Sequence, residues 1–139
     1  MPSKKRVQPK DKAKDGVPPP IAIGHVTLRV SDVGRAHSFY RALGLRSVLN
    51  REELAILELR GGTHLILFQA SDKPKAQRVR TFDFMVDDIE AAHAAMERAG
   101  VKGTAIDEDH IAGHLWFDVT DPDGHVLKVF SSHTGGRPV

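Results

Sequence analysis

Apolar and polar residues alternate along two short stretches of the chain. In the first, Val26, Leu28 and Val30 fall on one face and His25, Thr27 and Arg29 on the other. In the second, Phe82, Phe84 and Val86 oppose Thr81, Asp83 and Met85. This period of two predicts half-buried strands. An aspartate follows each strand, Asp32 or Asp88, placed to cap a helix N-terminus. The apolar spacing then changes. Ala36, Phe39, Tyr40 and Leu43, and later Ile89, Ala92, Met96 and Ala99, form single stripes at helical spacing. Helices are therefore predicted over about 33–43 and 89–99, each ended by a glycine, Gly44 or Gly100. Three more strands are predicted after each helix, around 46–50, 54–59 and 64–69, then 103–107, 113–119 and 125–130. Asp121-Pro122-Asp123-Gly124 predicts a type I turn joining the last two.

The second set of elements repeats the first. Val30–His37 lies over Val86–His93 at an offset of 56, and Gly62–Phe68 over Gly124–Phe130 at an offset of 62. Module 2 therefore carries six extra residues between its helix and its last strand. The fold class expected is α+β, two βαβββ modules forming a concave, cup-shaped sheet. Module 1 covers about residues 21–70 and module 2 about 79–133. One face of each sheet meets its helix. The other lines the cup with His25, Thr27 and Arg29; His64, Ile66 and Phe68; Thr81, Asp83 and Met85; His114, Trp116 and Asp118; Val126, Lys128 and Phe130.

Charge divides the 139 residues unevenly. Residues 1–20 hold six Lys or Arg against two Asp, while the formal net charge of the whole is only +2. This stretch also contains five prolines and few large apolar residues, so it reads as a solvated basic arm. It lacks interleaved aromatics for base stacking, so nucleic acid is not an expected partner. Residues 134–139 read as a short C-terminal tail. No apolar run approaches the ~20 residues of a membrane span, and no apolar segment of signal-peptide type follows the basic stretch. The expected location is the cytoplasm. The absence of cysteine excludes disulfides, thiolate ligands and a cysteine nucleophile.

Candidate chemistry therefore falls to the cup. Ser31, Ser38, Ser47 and Ser71 have no base placed beside them by the pattern, and Gly61-Gly62 lacks the lysine of a phosphate loop. Arg29 and Lys128 offer two cations to an anionic ligand, or they pair with Asp83 and Asp118 and leave the cup neutral. Trp116, Phe68 and Phe130 form an aromatic wall or simply pack. Of eight histidines, His25 and His64 point into the cup. His37 and His93 read as surface residues on the helices, and His125 and His133 receive no role.

Gly24–Asp32, Phe39–Leu45, Phe84–Asp88 and Asp121–Gly124 together resemble the vicinal oxygen chelate superfamily of glyoxalases, bleomycin-resistance proteins and extradiol dioxygenases. The resemblance covers about residues 21–133. It implies a cup that often holds a divalent ion on ligands from the first and last strands of each module. Carried onto this chain, those positions are His25, Ile66, Thr81 and Lys128. Only His25 is a ligand; the other three replace an expected Glu, His and Glu. The resemblance thus implies a metal-free small-molecule binder, with an unknown anionic or aromatic ligand and no cofactor. Two alternatives stand beside it. One is a metal-dependent lyase, isomerase, transferase or dioxygenase with a rearranged site on His25 and His64, completed by His110, His114, Asp118 or Asp83. The other is a metal-free enzyme using His25 as acid or base. The superfamily also implies a homodimer.

Overall fold

The structure is a computed structural model that describes residues 16–18, 21, 23–109 and 113–132. Most of the basic arm, His110, His133 and the C-terminal tail lie outside the described residues.

Module 1 runs β1 (His25–Val30), α1 (Val33–Leu43), β2 (Arg46–Asn50), β3 (Leu54–Glu58) and β4 (His64–Gln69). Module 2 runs β5 (Phe84–Val86), α2 (Ile89–Arg98), β6 (Asp107–Glu108), β7 (Leu115–Thr120) and β8 (Val126–Ser131). The sheets have matching orders, β1-β4-β3-β2 and β5-β8-β7-β6. In each, the first and last strands pair in parallel and the others antiparallel. The architecture is the α+β pair of βαβββ modules that the repeat predicts.

Local signals act as their chemistry requires. Asp32 accepts a hydrogen bond from the Arg35 amide and Asp88 from that of Ala91, each at 3.0 Å. Both helices close on backbone bonds through the following glycine and the residue after it. The stripes face inward: Ala36, Tyr40, Ile89 and Met96 are buried, whereas Ala99, one position too far round the helix end, is exposed. Alternation sorts the strands equally well. Leu28, Val30, Leu65, Leu67, Phe117, Val119, Leu127 and Val129 are buried in one core that joins both modules.

Module 2 is the less regular. Its second strand, expected over about 103–107, is reduced to Asp107–Glu108 plus an isolated bridge from Gly103 to Val119. The register also locates the extra residues. Leu54 faces Phe68 as Trp116 faces Phe130, an offset of 62, while Arg51, whose amide donates to Leu54, corresponds to Asp107, the partner of Trp116, at an offset of 56. The insertion therefore lies in the β6–β7 connection.

The modules hold each other reciprocally. Ser31, just after β1, donates its amide to Asp123 at 3.0 Å and its hydroxyl to the same carboxylate. Asp87, the repeat equivalent of Ser31, accepts from Arg60 in the turn before β4, at 2.5 Å. Each module's last turn grips the strand–helix junction of the other. The Asp121–Gly124 turn is also tied to α1, since Tyr40 donates to Asp121 at 2.9 Å.

Gly124 is constrained twice. Its φ is +84°, and a β-carbon there would lie 3.0 Å from the Ala76 side chain. Gly124→Ala is expected to cost about 2 kcal/mol through left-handed strain and crowding. A fall of several degrees in Tm by calorimetry would confirm it; an unchanged Tm would contradict it.

Candidate functional site

The strands place the sequence-predicted residues on the open faces of the sheets, but in separate groups. On module 1, His25 faces His64 in register, with ring centroids 5.9 Å apart. His64 faces Glu58, whose Oε1 lies 3.7 Å from His64 Nε2. Glu58 is in turn held by Arg46, its partner across β2. The row His25–His64–Glu58–Arg46 thus crosses the sheet. Glu58 was not among the expected cup residues, although the alternation Leu54, Ile56, Glu58 carries the signal. Phe68 stands on the same strand face, 44% exposed.

On module 2, Trp116 faces Phe130 and Asp118 faces Lys128. The Lys128 ammonium sits 3.8 Å from the centre of the Trp116 ring and 5.6 Å from that of Phe130. A cation over an aromatic face is held by the ring quadrupole. Asp118 behaves otherwise than expected. It is buried and takes both guanidinium nitrogens of Arg78, at 2.9 and 2.6 Å. The Arg78 guanidinium is held above its ordinary value chiefly by this hydrogen bonding. Among the described residues, neither Arg29 nor Lys128 forms an ion pair with Asp83 or Asp118. Of the two readings of the cup charges, the pairing of Arg29 and Lys128 with these aspartates is not formed; Arg78, from the segment between the modules, pairs with Asp118 instead.

Thr27 and Arg29 of β1 and Thr81 line a cavity of about 640 Å³ where the modules meet. Asp83 lines a different cavity of about 370 Å³ with Ile23, Val26, Phe82, Phe84 and Met85. The structure therefore brings together Thr27, Arg29 and Thr81, then His25 with His64, and finally Trp116 with Lys128. It does not gather all of them around one point.

Two helix histidines also differ from a surface reading. His37 is buried, its Nε2 2.7 Å from the Ser47 hydroxyl, and burial, then the Arg41 charge, lowers its pKa. His93 packs edge-on against Phe117, with Nε2 2.8 Å from the Thr104 carbonyl. Neither sits on a cup face.

The four positions of the superfamily's metal site do not form a donor set. Ile66 has no lone pair, and Lys128 presents an ammonium that already rests on Trp116. A divalent ion needs three or more N or O donors at ~2.0–2.2 Å. Among the described residues no group of three or more His, Asp or Glu is placed to hold one.

Residues 22–129 match the family model of the Glyoxalase/Bleomycin resistance protein/Dioxygenase superfamily. The chain belongs to that superfamily. No curated protein matches it. Among solved structures it is similar to an integron cassette protein from the mobile metagenome of the Halifax Harbour sewage outfall, with a TM-score of 0.68 and 21% identity, covering 80% of this chain and 98% of the other. Lactoylglutathione lyase from Agrobacterium tumefaciens has a TM-score of 0.66 and 22% identity, with 86% and 100% covered. A glyoxalase/bleomycin resistance protein/dioxygenase from Alicyclobacillus acidocaldarius has a TM-score of 0.66 and 17% identity, with 83% and 94% covered. At such identities the likeness concerns the fold, and the scaffold hosts many chemistries.

Proposed function

We propose that the protein binds a small organic molecule on its cup-facing residues and does so without the superfamily's usual divalent ion. The observation that carries this reading is Lys128. At a position where the superfamily supplies a carboxylate, this chain places an ammonium stacked on Trp116. Such a group repels a divalent cation and attracts an anion, and the adjoining rings of Trp116 and Phe130 provide a flat apolar wall. Arg78 adds to this by neutralising Asp118, the nearest carboxylate across β7 and β8.

The test is the metal content of the full chain by mass spectrometry. It is measured as purified, then after incubation with Ni, Mn, Fe, Zn or Co followed by dialysis. No stoichiometric ion is expected. A thermal-shift screen with small aromatic and anionic compounds follows, since a ligand at a hundred times its Kd stabilises the native state by about 2.7 kcal/mol.

One observation favours a second reading, a metal-dependent enzyme of the same superfamily with a rearranged site. His25 and His64 face each other in register on β1 and β4, their ring centroids 5.9 Å apart, and supply two of the donors such a site would need. A stoichiometric ion lost in His25→Ala would establish that reading and overturn the first.

A further inference from the structure

The cavity of about 640 Å³ between β1 and the segment joining the modules carries more chemistry than its cup-facing threonines. Arg29, Lys75, Arg78 and Arg80 all line it, and no carboxylate does. Arg78 is spent on Asp118. Arg29, Lys75 and Arg80 have no anionic partner among the described residues. The segment that carries two of these three cations is fixed rather than loosely draped. The Val79 amide donates to the Val126 carbonyl at 2.8 Å, the Val126 amide donates to the Gln77 carbonyl at 3.0 Å, and Val79 is buried. Three unneutralised cations held against a sheet form an anion site.

His125 adds a second requirement. It lines the same cavity, is 2% exposed, and its Nδ1 is buried without a hydrogen-bond partner. Its Nε2 faces the Arg29 carbonyl at 3.4 Å. A carbonyl only accepts, so Nε2 is the donor in this contact and Nδ1 is the ring nitrogen left without a partner. A buried polar nitrogen without a partner is costly, and a hydroxyl entering the cavity, able to donate or accept, satisfies it. The charges near this ring are Asp121 and Asp123 on its own turn and the cations already named.

We propose that this cavity binds a small hydroxylated organic anion. Its carboxylate or phosphate lies among Arg29, Lys75 and Arg80, and an adjacent hydroxyl hydrogen-bonds to His125 Nδ1. The volume is in the range of small-ligand sites, ~300–1,000 Å³. The inference rests on the reading of the protein as a small-molecule binder and names the ligand class.

The experiment is calorimetric titration of the EDTA-treated full chain with matched probes: malate against succinate, and glycerol 3-phosphate against propyl phosphate. The two pairs separate a carboxylate ligand from a phosphate one. The hydroxylated member of at least one pair is expected to bind about tenfold or more tightly than its partner. Arg80→Ala and Lys75→Ala are each expected to weaken it about tenfold, while Arg98→Ala, a cation on α2 away from the cavity, leaves it unchanged. With ¹⁵N-labelled protein the His125 Nδ1 resonance moves with the hydroxylated probe alone. Equal affinities within both pairs, no binding by any probe, or binding that survives Arg80→Ala and Lys75→Ala overturns the proposal. Because metal is removed beforehand, a stoichiometric ion found in untreated protein would overturn the metal-free reading and leave this result standing.

Discussion

Asp121→Ala is expected to remove about 3 kcal/mol of stability, the largest loss from any single side chain in the turn before β8. Asp121 is 4% exposed and serves three donors. Its Oδ2 accepts from the Tyr40 hydroxyl at 2.9 Å, and its Oδ1 from the amides of Asp123 at 2.9 Å and His125 at 2.8 Å. Alanine leaves all three buried donors unserved, at about 1–3 kcal/mol each, offset by relief of the buried charge. The damage also spreads across modules, because the same turn presents Asp123 to Ser31. Asp121→Asn separates shape from charge. Its carbonyl can take both amides and its NH₂ can donate to the Tyr40 oxygen, but the Tyr40 hydroxyl then loses its acceptor, so the expected loss is about 1–2 kcal/mol. Tyr40→Phe removes that donor while both amides stay served, with a similar expected loss of about 1–2 kcal/mol.

The charge of Asp121 then shows in the pH dependence. Burial, the largest influence, pushes its carboxyl above the ordinary carboxylate value despite the opposing hydrogen bonds. The Tyr40 hydroxyl is pushed up as well, by burial first and then by Asp121, and stays protonated. A carboxyl raised in the folded state favours the native form most when protonated. Its contribution is complete below the unfolded value of about 3.9 and is lost as pH rises through the folded value. The wild type's stability relative to Asp121→Asn should therefore fall with rising pH over the weakly acidic range and level off by neutrality. Urea unfolding from pH 4 to 7 measures it. A flat difference over that range would mean that hydrogen bonds, and not burial, govern the group.

The architecture was legible because it rests on local rules repeated twice. Alternation in Val26–Val30 and Phe82–Val86, the caps Asp32 and Asp88, and glycines after both helices are short-range signals, and each module presents them in the same order. Strand parity was legible for the same reason, and no strand slipped by a residue. The weak β6 was not, because its pairing depends on a β6–β7 connection lengthened by six residues. The site was legible only in outline. Sequence order placed His25, Thr27, Arg29 and Lys128 on open faces, but side-chain partners follow from tertiary distance. Nothing in the spacing says that Arg78, forty positions away, claims Asp118. His37 was misjudged because the polar position it occupies on α1 is covered by β2, where Ser47 meets it. In the sequence Asp121 and Asp123 signal only a turn; their second use as ties to Tyr40 and Ser31 requires the two modules to be docked.

The triple substitution Ile66→Glu, Thr81→His and Lys128→Glu is expected to give a protein that holds a single divalent ion, with Kd micromolar or tighter, where the unsubstituted chain is expected to hold none. The argument is one of donors. His25 already occupies the first corner on β1, and Ile66 lies on β4 beside it, opposite Thr27 in the parallel register. Lys128 stands on β8, the strand that pairs with β5 as β4 pairs with β1. Exchanging its ammonium for a carboxylate removes the group that repels the ion and adds a ligand, at the loss of the contact with Trp116. With two carboxylates and two imidazoles the set reaches the number and type that nickel, zinc or iron accept. Lys128→Glu alone should not suffice, because His25 and one carboxylate fall short of three donors. Metal analysis after dialysis, with isothermal titration of Ni and Zn, tests the single and triple variants together. Binding by the triple variant alone would show that the scaffold keeps the metal geometry and that side-chain identity removed the ion. If the triple variant stays empty while remaining folded by circular dichroism, the four positions do not converge, and the spacing of the two modules rather than Lys128 is what keeps an ion out.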